Sequence, residues 1–130
     1  MTLTKHWPTR VAAGVAIVFG ALTVLSGGTA LFGGEAAQAA AGNAVPFVLW
    51  FNFLSGFAYV LAGIGIALGL AWAPKLSVAL AAAIALVFAA FILHIVQGGA
   101  YEMRTVGAMI LRLAVWVVIA FTVMRANARV

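Results

Sequence analysis

Apolar side chains run almost unbroken along four stretches, at about residues 11–32, 46–71, 75–97 and 104–125, and polar side chains collect between them. Each stretch reaches the ~20 apolar residues a helix needs to cross ~30 Å of hydrocarbon, so the pattern predicts four transmembrane helices. What remains is a short head, a first loop at about 33–45, a tight second turn, a third loop at about 98–103 and a brief tail. No extramembrane domain fits there. The chain therefore reads as all-α: one polytopic membrane domain over residues 1–130, with four transmembrane helices in an up-down bundle. Pro46 and Pro74 suit the first turn of a helix, where the missing N–H goes unmissed. Gly98 and Gly99 suit the end of the third. Glu35, followed by Ala36, Ala37, Gln38 and further alanines, predicts either a short surface helix with an acidic first turn or a disordered loop.

Composition supports lipid as the main solvent. The chain is 67% hydrophobic and 7% charged, where a globular domain carries about 25% charged residues. Nine charged side chains cannot build a water-facing surface, which excludes a soluble enzyme and a nucleic-acid-binding domain. The lack of cysteine excludes a disulfide-stapled secreted module. Lys5, Arg10, Lys75, Arg125 and Arg129 fall on one predicted side of the spans and Arg104 on the other. Five cations against one places both termini in the cytoplasm of a bacterial cell, with the first and third loops outside the inner membrane. Trp7, Trp50 and Trp72 fall at predicted interfaces, whereas Trp116 lies within the fourth span. The basic head, the first apolar run and Ala37-Gln38-Ala39 imitate a secretory signal. The run is long enough to span and the small residues lie well past its core, so the first helix is expected to stay. Gly65 and Gly69 form a G-x-x-x-G pair that predicts close helix packing.

Polar residues inside the spans carry the candidate chemistry. Arg112 lies eight residues beyond Arg104, roughly 12 Å down its helix, too deep for easy snorkelling. An Arg near the bilayer centre costs about 2.5–3.5 kcal/mol on the lowest scales, so it calls for a partner. Similar depth arithmetic brings Asn52, Ser55, Thr23 and Ser26 to roughly the same level. Asn52, Ser55 and Tyr59 share one helix face. The third helix contributes His94 and Gln97, three apart, and the loop after it contributes Tyr101, Glu102 and Arg104. The inner half of the spans is nearly featureless, so the polarity implies a pocket opening outward. Two roles for Arg112 stay open: a strut that satisfies helix ends and loop carbonyls or pairs with Glu102 or Glu35, or the anchor of a ligand. Trp116, one turn away, is placed to stack on it. His94 is read as a hydrogen-bonding residue or a ligand contact.

Other chemistries find little support. No cysteine and only two histidines, on opposite sides of the membrane, make a zinc site within one subunit implausible. No cofactor is predicted; haem at His94 would require a symmetric dimer. No serine has a base at an assignable spacing, and no glycine-rich phosphate loop occurs. Small multidrug transporters keep a Glu in the first helix, fluoride channels a Thr-rich break in the third, and vitamin K epoxide reductase-type proteins depend on Cys pairs. This chain has none of these.

The segments from His94 to Arg112 (HIVQGGAYEMRTVGAMILR) and from Trp50 to Tyr59 (WFNFLSGFAY) resemble a group of small uncharacterised bacterial four-helix integral membrane proteins. The likeness covers about half of the chain and implies no activity, but it groups His94, Glu102, Arg104 and Arg112 as one unit. The expectation is a non-catalytic binding or accessory component whose ligand site comprises Arg112, Asn52, His94, Ser55, Tyr59, Gln97, Glu102 and Arg104. Its partners would be membrane lipid, an anionic or amphiphilic small molecule, and further copies or a larger membrane complex. A small oligomeric transporter or channel, and a haem- or quinone-binding redox subunit, are the alternatives.

Overall fold

The computed structural model describes residues 7–42 and 45–128; Lys5 and Arg129, which enter the charge argument, lie outside them. The described chain is helical, with α1 at Trp7–Phe32, a short α2 at Glu35–Ala41, α3 at Pro46–Ala67, α4 at Trp72–Val96 and α5 at Met103–Ala128. α1, α3, α4 and α5 are long and apolar enough to cross a membrane. The exposure pattern fits a lipid solvent. Val96 is 76% exposed, Leu86 72% and Leu25 68%, while Asn52, Ser55, Thr23 and Ser77 are buried. So many large apolar side chains exposed along the spans, with four polar side chains buried, depart from the arrangement of a water-soluble domain.

The helix ends differ from the expected spans for local reasons. Pro46 opens α3 as predicted. α3 stops at Ala67, earlier than expected, because Gly69 adopts φ +68°. The Gly69 N–H then bonds the Ile66 carbonyl at 3.1 Å and the Leu70 N–H bonds the Gly65 carbonyl at 2.9 Å, the paired bonds of a Schellman cap. So compact a reversal frees Trp72 and Ala73 to join α4, which leaves Pro74 in its first turn. α4 ends the same way: Gly98 sits at φ +87°, with bonds from Gly98 to Ile95 and from Gly99 to His94. The G-x-x-x-G pair does not join two helices. Gly69 is the turn residue, with open space around its α-carbon, and Gly65 packs against the Trp72 ring and Ala73.

Close helix packing occurs elsewhere. The buried positions of α1 include Ala13, Ala16, Gly20, Thr23 and Gly27, spaced three and four apart on one face. Those of α3 include Asn52, Ser55, Gly56, Tyr59, Ala62, Gly63 and Ile66. A methyl group on Gly20 would come within 2.7 Å of the Gly56 carbonyl oxygen, and one on Gly63 within 2.9 Å of the Ala13 carbonyl oxygen. Gly27 faces Phe53, so the contacts run in opposite order along the two helices. α1 and α3 share much the most extensive contact of any pair. On the other side α4 and α5 contact each other, and their fully buried side chains are large: Phe91 and Ile84 of α4, Met109 and Trp116 of α5. Contacts pass round the ring α1–α3–α4–α5, and the seam between α5 and α1 is the thinnest of the four.

Substituting Gly20 with Ala therefore drives a methyl group into backbone, and overpacking of this kind costs about 1–3 kcal/mol. Gly14→Ala, where no atom lies within 4 Å of the added carbon, is expected to leave stability unchanged or slightly raised. Unfolding midpoints in an SDS titration of the two variants check both expectations.

Candidate functional site

The ends of three helices bound a cavity of about 210 Å³. α1 supplies Thr23, Ser26, Gly27 and Ala30; α3 supplies Val48, Leu49 and Asn52 after Val45; α5 supplies Arg104, Thr105, Ala108 and Arg112, with Glu102 just before it. The cavity is built on helix faces rather than on loops. Thr105, Ala108 and Arg112 follow at spacings of three and four, which stacks them on one side of α5. Arg112 lies nine residues into α5 and Asn52 six residues into α3, roughly 13 and 9 Å below the cavity mouth.

Two arginines against one glutamate line the cavity. They are placed differently. Arg104 is at the mouth with its side chain 71% exposed, 3.8 Å from Glu102, and it donates a 2.9 Å hydrogen bond to the Ala40 carbonyl. That bond ties α2 to the start of α5, and the predicted surface helix is present. Gly42, at φ +62°, lies close against the Glu102 carboxylate. Arg112 is half-buried at the floor. Among the described residues it forms no ion pair; one nitrogen donates a 3.3 Å hydrogen bond to the Ala108 carbonyl of its own helix. Its guanidinium lies over Phe19, 5.7 Å from the ring centre, which is cation–π range. Trp116 does not stack on it. The indole packs on Tyr59 with ring centres 5.0 Å apart, and Tyr59 stacks on Phe19 at 5.8 Å.

Four buried polar atoms have no hydrogen-bond partner among the described residues: Asn52 Oδ1, Arg112 Nε, Tyr59 OH and Trp116 Nε1. Tyr59 OH neighbours Ser55 and Arg112 without closing a hydrogen bond to either. Leaving such a group unmade costs about 1–3 kcal/mol, so a group of them along one column is unusual. Arg112 and Asn52 line the cavity, the first a cationic donor, whereas Tyr59 and Trp116 lie outside its lining. The N-terminal ends of α3 and α5 also face the cavity, and their dipoles favour negative charge; the C-terminal end of α1 partly offsets them. The arrangement suits an anion that accepts hydrogen bonds.

The expected site residues divide. Arg112, Asn52, Glu102 and Arg104 line one cavity, together with the depth-matched Thr23 and Ser26. Tyr59 is buried below it. Ser55 turns back on its own helix, donating at 3.0 Å to the Asn52 carbonyl. His94 and Gln97 lie outside the cavity lining. The His94 ring packs over Gly99, its Nε2 is 2.9 Å from the Ala100 carbonyl, and Phe47 meets it edge-on. His94 thus clasps the loop between α4 and α5. Gln97 is exposed as the residue that ends α4. Among the described residues no three His, Cys, Asp or Glu side chains gather where a metal would bind. Phe19, Thr105 and Ala108 are the residues that sequence reasoning missed. Thr105 and Ala108 are signalled by lying two turns and one turn before Arg112, and Phe19 by lying one turn from Thr23.

No protein family, curated protein or solved structure matches this chain. The likeness to small four-helix membrane proteins therefore rests on the quoted residues alone.

Arg104→Ala removes the hydrogen bond to Ala40 and the exposed pair with Glu102. The pair itself contributes at most about 1 kcal/mol, so global stability is expected to hold. Amide exchange across residues 35–41 is expected to accelerate while exchange in α3 stays slow, as read by hydrogen–deuterium exchange mass spectrometry.

Proposed function

We propose that this protein is a multi-pass component of the bacterial inner membrane that binds an anionic or amphiphilic ligand without transforming it, in a polar well opening away from the cytoplasm. In this reading the four spans run up and down with both termini cytoplasmic, following the five-to-one distribution of cations. The carrying observation is Arg112: a cation near the middle of a span, at the floor of a cavity, with no ion pair among the described residues. A buried cation in a membrane marks a ligand or ion site by default. The strut alternative rests on its hydrogen bond to the Ala108 carbonyl and its contact with Phe19, which leave Nε without a partner among the described residues.

The well has the capacity of a small anionic group. At about 210 Å³ it falls below the ~300–1,000 Å³ of pockets that enclose drug-sized molecules. A carboxylate or phosphate at Arg112 would accept from the guanidinium, while the N-termini of α3 and α5 favour negative charge at the mouth above it. Asn52 and Thr23 would bound it on the opposite wall, and Arg104 at the mouth would draw it inward. Further copies or a larger complex remain compatible partners, because the apolar exterior offers contact area on every side.

Native mass spectrometry from mild detergent tests the ligand. Wild-type protein is expected to carry an acidic adduct that Arg112→Gln loses, with at least a tenfold fall in occupancy. Equal, bare spectra of two folded proteins would overturn the reading. Because the chain has no cysteine, single-cysteine variants report orientation without background. Thr105→Cys is expected to react with a membrane-impermeant maleimide added to intact spheroplasts, and Lys75→Cys only after permeabilisation.

A further inference from the structure

The bundle has a second cavity, of about 470 Å³, lined by Trp7, Pro8, Val11, Ala12 and Val15 of α1 and by Ala114, Val115, Val118, Ile119 and Thr122 of α5. It is apolar apart from Thr122 and lies between the same two helices as one wall of the polar well. Register shows that the two cavities are not independent. On α5, Thr105, Ala108, Arg112, Val115, Ile119 and Thr122 recur at spacings of three and four, so one stripe lines both cavities. On α1, Ala12, Val15, Phe19, Thr23 and Ser26 continue one face in the same way, with Phe19 between the two. The thin α1–α5 seam is thus hollow at both ends, polar at one and apolar at the other, and the Arg112–Phe19 contact marks the junction.

We infer that the ligand is a single-chain anionic amphiphile, its head on Arg112 and its alkyl chain in the apolar groove between α1 and α5. This rests on the polar-well reading and adds the second half of the molecule. Lengths agree. Arg112 to Thr122 is ten residues, roughly 15 Å along the helix, which is half of the ~30 Å hydrocarbon thickness and so the reach of one acyl chain. Charge agrees as well: the lining of the groove contains no ionisable side chain, while the group at its upper end is a cation with no ion pair among the described residues. A diacyl lipid would have to leave its second chain outside the groove. With the cytoplasmic termini proposed above, the bound chain points as an outer-leaflet chain does, but its head lies roughly 13 Å deeper than the start of α5. Both carboxylate and phosphate heads meet these requirements.

Photo-crosslinking tests the placement. Dodecanoate and dodecyl phosphate, each with a diazirine at the far end of the chain, are photolysed with the full chain in phosphatidylcholine nanodiscs, and adducts are mapped by mass spectrometry. Adducts are expected on residues 7–15 and 114–122, and to fall at least tenfold in Arg112→Gln and in Ala114→Phe, which fills the groove from an exposed position. Val118→Trp is a second filling variant should Ala114→Phe fold poorly. Inorganic phosphate, followed by its protection of the protein against thermal unfolding, should bind wild type and Ala114→Phe alike and lose affinity in Arg112→Gln. The more effective of unlabelled dodecanoate and dodecyl phosphate as competitor identifies the head. Adducts spread over all four spans and indifferent to both variants would overturn the chain placement, leaving the polar well intact if phosphate binding still depends on Arg112. Loss of that dependence as well would overturn the well.

Discussion

The close approach of α1 to α3 governs the rest of this structure. Lipid chains are as apolar as leucine, so helices in a bilayer gain little by hiding apolar surface from it and associate through packing instead. Gly20, Gly27, Gly56 and Gly63 let the two backbones meet where any side chain would intervene. With α1 committed to α3, the bulk of Trp116, Phe91 and Met109 fills the other half of the ring, and α5 reaches α1 only sparingly. Both cavities lie in that under-filled seam. A tight contact on one side of a four-helix ring thus produces an open one on the adjacent side.

Into this seam the sequence places one cation and several hydrogen-bonding groups. An arginine in hydrocarbon is tolerated when it faces the bundle interior or a cavity, and Arg112 does so with Phe19 beneath it. The aromatic stack of Phe19, Tyr59 and Trp116 lies at the level where the polar well gives way to the apolar lower half. Arg104 and Glu102 set the upper boundary, where the ionic groups are still wet. Polarity therefore declines along one axis, from an ion pair at the mouth, through buried donors, to an alkyl-lined groove.

Much of this was legible in the sequence, and the gaps have physical causes. The four spans were readable because a backbone in hydrocarbon must satisfy its own hydrogen bonds, which leaves helix as the choice for each long apolar run. Their ends were less so, since a Schellman cap at Gly69 lets the chain reverse in a few residues and return Trp72 to helix. Counting residues from the helix ends set the depth of Arg112, Asn52, Thr23 and Ser26 and brought them to one level. Depth does not give direction. His94 and Gln97 are at a suitable height but on α4, which contributes nothing to the cavity lining. The G-x-x-x-G pair failed for a related reason: its second glycine lies past the helix end, at φ +68°. The glycines that do join helices face one another between α1 and α3, and that pairing becomes visible only once the helices are assembled.

The four spanning helices differ in length. α3 has 22 residues, α4 25, and α1 and α5 26 each, or roughly 33 Å against 38–39 Å. An upright α3 nearly matches ~30 Å of hydrocarbon, whereas the three longer helices accommodate by leaning or by projecting past the interface. Two of these, α1 and α5, frame the hollow seam. A thinner bilayer forces more lean on α1 and α5 than on α3, and a thicker one lets them straighten. The seam is thus framed by helices whose tilt depends on bilayer thickness.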